Sequence, residues 1–123
     1  MTVVWDTTVL IDILRGTPAA ISYAGSLGET PVCSEITRIE VLRGVRSAER
    51  VPTERLLGTL AWVVIDETIA RRAGELGRRY RSSHPGLGSA DLSIAATALE
   101  LGAELASTNV RHFPAFRGLR APY

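Results

Sequence analysis

The chain has 123 residues, 46% of them hydrophobic, which suits one domain with a proper core and leaves no segment that reads as disordered. A formal net charge of +1 does not by itself announce a polyanionic partner. No apolar run approaches the roughly 20 residues of a membrane span, and the N-terminus lacks the basic and apolar regions of a signal peptide.

Val3-Val4-Trp5 runs straight into Asp6, which reads as a short strand buried on both faces with an acid at its carboxyl end. Thr7 or Thr8 can cap the helix that follows, expected from about Thr8 to Arg15 and stopped at Gly16. Pro18 opens a second helix to about Leu27. Thr30 to Cys33 is a short second strand. Cys33 is the only cysteine, which excludes an internal disulfide, fits a reducing, cytoplasmic setting, and reads as a buried small hydrophobe.

Ser34 is an expected N-cap for a helix to about Arg46, with Ile36, Ile39 and Leu42 on one face and Glu40 beside that face. Pro52 to Leu60 reads as a further short helix, and Ala61 to Ile65 as a third strand. Asp66 can cap a long helix from Glu67 to about Ser82, with Ile69, Ala73, Leu76 and Tyr80 as its inner stripe. After the loop His84 to Gly88, Ser89 is expected to cap a helix from Ala90 to Leu101, ended by Gly102. Glu104 to Ser107 is a fourth strand. The tail from Asn109 is loop-like, with room for a short last strand near Leu119. Strands alternate with helices throughout, so the expected fold is α/β, a parallel sheet of four to five strands in one domain spanning residues 1–123, covered by helices on both faces.

In such a sheet each strand's carboxyl end and each following helix's N-terminus share one edge. Asp6, Glu40 and Asp91 can therefore converge. Hard oxygen ligands gathered at one place suit Mg²⁺ or Mn²⁺, an ion that activates water and stabilises charge on a phosphoryl group. Each acid also has a structural use. Asp91 complements the dipole of its helix, Glu40 pairs with Arg43, and Glu35 rivals Glu40 from the first turn. Asp66 reads as a cap, and Asp12 as a surface acid. His84 and His112 read as loop or surface histidines.

All 14 basic residues are arginine, suited to bidentate phosphate contacts, although a solvated helix face is the readier account of any single one. There is no strained Gly-x-Ser-x-Gly turn and no phosphate-cradling glycine loop.

Four stretches resemble one family, the PIN-domain ribonucleases of the VapC toxin type. Trp5-Asp6-Thr7-Thr8-Val9-Leu10-Ile11-Asp12 is similar to its opening motif. Ser34 to Gly44 resembles the second, whose acid maps to Glu40. Ala90-Asp91-Leu92-Ser93-Ile94-Ala95-Ala96-Thr97-Ala98 is very like the third, and Ser107-Thr108-Asn109-Val110-Arg111-His112-Phe113 resembles the fourth.

The resemblance covers nearly the whole chain. It implies an α/β/α sandwich, and a Mg²⁺ or Mn²⁺ site from Asp6, Glu40 and Asp91, supported by Thr7, Thr8, Ser107, Thr108 and Asn109. It also implies cleavage of structured RNA such as tRNA or ribosomal RNA loops. Arg38, Arg43, Arg72, Arg79 and Arg111 are the candidates for the RNA backbone. A homodimer and a hetero-oligomer with a cognate antitoxin are the expected assemblies, with no membrane partner. No acid lies between Asn109 and Tyr123, where many members of that family add a fourth, so at most one tightly bound ion is expected.

Two other readings compete. A haloacid-dehalogenase-like phosphatase also ends its first strand in Asp, but wants a second acid two residues on, where Thr8 stands. A non-catalytic PIN-like module would bind RNA or a partner only, and has no reason to keep three mutually repelling carboxylates.

Overall fold

The computed structural model describes residues 1–123, and a four-stranded sheet forms its centre. In chain order the elements are β1 (Val3–Trp5), α1 (Thr7–Leu14), α2 (Pro18–Ser26), β2 (Val32–Ser34), α3 (Glu35–Arg43), α4 (Arg50–Leu57), β3 (Ala61–Val63), α5 (Glu67–Arg79), α6 (Ser89–Leu101) and β4 (Glu104–Ala106). One-turn 3₁₀ helices at Ser47–Glu49 and Val110–His112 complete it. The sheet order is β3-β2-β1-β4 and every pairing is parallel, with Val4 opposite Val32 and Leu105, and Cys33 opposite Trp62.

Period-2 alternation along β1 sends its side chains into two separate cores. Val4 joins Leu105, Ile69, Leu76, Ile94 and Phe113 on the face covered by α5 and α6. Val3 and Trp5 join Val9, Leu10, Cys33 and Leu57 on the face covered by α1 and α4. Each large apolar side chain buried in this way contributes about 1.5–3 kcal/mol. The expected α/β/α sandwich is thus formed, with β1 inside it and Asp6 at its carboxyl end.

Several local expectations are corrected. Asp6 itself caps α1, its Oδ1 accepting from the Thr7 N–H at 2.8 Å, so neither Thr7 nor Thr8 is the cap. Both threonine hydroxyls are drawn to other partners in the site. Gly88, not Ser89, is the N-cap of α6, and Asp91 lies in the first turn. The strands are only three residues long: β2 starts at Val32 and includes Ser34, β3 stops at Val63, and β4 stops at Ala106. Val64 and Ile65 are exposed beyond the sheet. No strand forms near Leu119. Helices α3 and α5 end at Arg43 and Arg79, earlier than expected, and α4 spans Arg50–Leu57 rather than Pro52 to Leu60.

The inner face of α3 also differs from the apolar spacing. Ile39 is 59% exposed, while Thr37 and Val41 are buried. The buried Thr37 hydroxyl is within 3.0 Å of the Thr7 hydroxyl, so a polar contact outweighs apolar periodicity here. The caps Ser34 of α3 and Asp66 of α5, the inner stripe of Ile69, Ala73 and Leu76, and the left-handed Gly102 ending α6 (φ 61°) follow the sequence.

Candidate active site

Asp6 is 3% exposed and held from three sides. Its backbone N–H continues the sheet by donating to the Ala106 carbonyl at 2.9 Å. Its Oδ2 accepts from the Ser107 hydroxyl at 2.6 Å and from the Thr8 hydroxyl at 3.1 Å. Ser107 follows β4 directly, and β4 is parallel to β1, so the two residues leave the sheet side by side. Burial pushes the Asp6 carboxyl above its ordinary value. The Ser107, Thr8 and Thr7 donors oppose that rise, and the Asp91 charge adds to it.

Glu40 reaches the same edge from α3. Its Oε1 accepts from the Thr7 hydroxyl at 2.6 Å, one residue from Asp6. Glu35, its rival, instead pairs with Arg38 and is held below the usual carboxylate range by that guanidinium. Asp91 enters from the first turn of α6, and its Oδ2 lies 3.0 Å from His112 Nδ1. The same ring nitrogen lies 3.0 Å from the Asn109 amide, and the Asn109 N–H donates to Ser107 Oγ at 2.9 Å. A continuous chain of contacts therefore runs from Asp91 through His112, Asn109 and Ser107 to Asp6.

His112 belongs to this edge rather than to the plain surface. Its place at the end of the fourth motif, beside Phe113, was the signal for it. Asp12 is also more than a surface acid, since its Oδ2 accepts from the Tyr123 hydroxyl at 2.6 Å and ties the C-terminal residue to α1. Thr108 contributes only its backbone N–H, 3.4 Å from Thr8 Oγ1.

The candidate arginines divide. Arg38 is bound to Glu35, with its guanidinium 4.0 Å from the centre of the Trp62 ring, and Arg72 is bound to Glu100 at 2.9 Å. Arg43, Arg79 and Arg111 are exposed and enter no ion pair, so the expected Glu40–Arg43 pair does not form.

The donor chemistry suits a hard divalent cation. Asp6, Glu40 and Asp91 form no ion pair with any of the chain's arginines. Asp6 is buried against neutral hydroxyl and amide donors, which orient a carboxylate without neutralising it. No three carboxylate, imidazole or thiol groups gather into a ready-made cage. Mg²⁺ does not require one, since it keeps several waters and binds through one or two carboxylates.

The family model of the PIN domain fits residues 3–119 of this all-parallel chain. The chain is 47% identical over 121 residues to Ribonuclease VapC19 of Mycobacterium tuberculosis, covering 96% of this chain and 97% of that protein. It is 42% identical over 120 residues to Ribonuclease VapC10 of the same organism, covering 96% and 90%. Among solved structures, a toxin–antitoxin complex from Klebsiella pneumoniae contains a chain that superposes with a TM-score of 0.86 at 28% identity, over 99% of this chain and 98% of that one. The chain belongs to the PIN-domain family. Within that family it is of the VapC toxin type.

Proposed function

We propose that the chain is the toxin of a toxin–antitoxin pair and acts as a divalent-metal-dependent endoribonuclease on structured RNA, with tRNA or ribosomal RNA loops as substrates. The observation that carries this reading is the set of three acids at one sheet edge, none of them matched to an arginine. The ribonuclease names of its relatives support the same reading.

Asp6, Asp91 and Glu40 are the residues that would hold Mg²⁺ or Mn²⁺. When bound, such an ion supplies a Lewis acid and an activated water for attack on a phosphodiester. Thr8 and Ser107 orient Asp6, and Thr7 holds Glu40 toward it. Arg43, Arg79 and Arg111, free of acids, contact the RNA backbone, and binding weakens as salt rises.

The antitoxin partner is supported by the toxin–antitoxin complex that the chain resembles. A cleft of about 230 Å³ that Glu40 lines suits a protein segment, with Ile11, Leu14, Val41 and Val45 beside the charged Arg15 and Glu49 in its lining. A homodimer, or a hetero-oligomer with that antitoxin, is the proposed assembly.

The lack of any acid between Asn109 and Tyr123 favours one rival, a PIN-like module that binds RNA or a partner without cutting. The test is cleavage of total tRNA and ribosomal RNA by the purified chain, stripped of any co-purifying partner, with Mg²⁺, Mn²⁺ or EDTA and beside Asp6→Asn. Discrete EDTA-sensitive fragments that the variant does not produce establish the enzyme. No cleavage together with no Mn²⁺ binding by calorimetry establishes the binding module.

A further inference from the structure

His112 has no role in the chemistry above, yet it touches Asp91. Nδ1 of its ring stands 3.0 Å from Asp91 Oδ2 and 3.0 Å from the Asn109 amide. An ionised carboxylate only accepts hydrogen bonds, so the proton on Nδ1 lies toward Asp91. That holds for the imidazolium and for the neutral ring with its hydrogen on Nδ1. Asn109 faces the same nitrogen with Nδ2, a donor, so it can share that proton only if its amide is turned to bring the oxygen round. The Nδ1–H is thus clamped on Asp91, with Asn109 beside it, and Nε2 is left on the other side of the ring.

The backbone makes this more than one contact. Asn109 N–H donates to Ser107 Oγ, and Ser107 donates to Asp6 Oδ2. The turn Val110–His112 places the ring one helical turn after Asn109, and Phe113, 1% exposed, anchors that turn in the core with α5 and α6. The geometry points to His112 as a positioning residue. Through Nδ1–H it fixes the Asp91 carboxylate, and through the Asn109–Ser107 turn it ties the orientation of Asp91 to that of Asp6.

This assignment rests on the metal-dependent reading of the site for its consequences, but not for its geometry. His112 and Ser107, neither of them among the proposed ligands, each donate to one of the acids. Such outer partners govern metal affinity by roughly 10–100-fold.

The experiment compares wild type with His112→Ala and His112→Asn. The asparagine amide places an N–H near the position of Nδ1–H, whereas alanine removes it. Mn²⁺ affinity by calorimetry, kcat and KM on a cleaved RNA, and thermal unfolding are read on all three. The expected result is Mn²⁺ binding weaker by roughly 10–100-fold in His112→Ala. With it come a fall in kcat at nearly unchanged KM, a small change in unfolding temperature, and recovery of most of both losses in His112→Asn. Unchanged Mn²⁺ affinity and kcat in His112→Ala overturn the assignment. Equal damage in both variants overturns it too, since it assigns the role to Nε2.

The nitrogen-15 spectrum of the ring at high pH separates this assignment from the metal reading. Hydrogen on Nδ1 in wild type, shifting toward Nε2 in Asp91→Asn, supports the clamp even if no metal binds and no RNA is cut. Hydrogen on Nε2 in wild type refutes the clamp whatever the activity.

Discussion

Ser107→Ala isolates the forces that hold Asp6. The Ser107 side chain is fully buried; its hydroxyl donates to Asp6 Oδ2 at 2.6 Å and accepts the Asn109 N–H at 2.9 Å. A hydrogen bond to a charged group contributes about 1.5–3 kcal/mol and a neutral one about 0.5–1.5 kcal/mol. The variant should therefore lose roughly 2–4 kcal/mol at neutral pH, lowering the unfolding midpoint by roughly 6–16 °C in a chain of this size.

The loss should also depend on pH. Burial already raises the Asp6 carboxyl, so the native state binds protons more readily than the unfolded chain there, and stability falls as pH rises through the native value. Ser107 lowers that value by favouring the charged form, so its removal raises it further. The gap between variant and wild type is then widest above the native value and shrinks to about 1 kcal/mol where Asp6 is protonated in both. Urea unfolding from about pH 4 to pH 8, at constant m-value, reads this directly. In an Asp6→Asn background the cost of Ser107→Ala should likewise shrink to about 1 kcal/mol. A loss that is uniform across pH, or below about 0.5 kcal/mol at neutral pH, would refute the reasoning.

Other outcomes follow from the same structure. Asp91→Asn should abolish RNA cleavage while leaving circular dichroism and the unfolding midpoint close to wild type, because Asp91 sits at the rim of the core; unchanged turnover would remove it from the site. Phe113→Ala should cost about 3–5 kcal/mol in a denaturant melt, since the ring is 1% exposed and packs between α6 and the tail. Cys33 should resist alkylation in the native state: burial pushes its thiol up to about 12, leaving a thiolate fraction of about 10⁻⁴ at pH 8, so labelling should track global unfolding. Tyr123→Phe removes the donor to Asp12 and should cost about 1 kcal/mol in an unfolding melt, with earlier exchange of α1 amides.

Much of this molecule was legible from local pattern. The apolar run ending in Asp6, the cap at Asp66, the stripe on α5 and the glycine ending α6 report on neighbours within one or two turns, where periodicity and capping physics act. Alternation of strand and helix implied a parallel sheet, and with it one edge where Asp6, Glu40 and Asp91 emerge. What local pattern misjudged lay in contacts between distant segments. Ile39 fits an apolar face but is exposed, because Thr37 on the other side of α3 meets Thr7 from α1. Arg38 looked free for RNA until Trp62 from β3 came beneath it. His112 looked isolated until α6 brought Asp91 against it, 21 residues away in the chain. The shared edge of Asp6 and Asp91 was thus written in sequence order, because strand and helix polarity fix it, while spacing left Glu40 and Glu35 open and only the motif resemblance separated them. Which hydroxyls and which imidazole hold those acids was decided only by the tertiary fold, because a side-chain hydrogen bond over 2.6 to 3.1 Å depends on how separate elements pack.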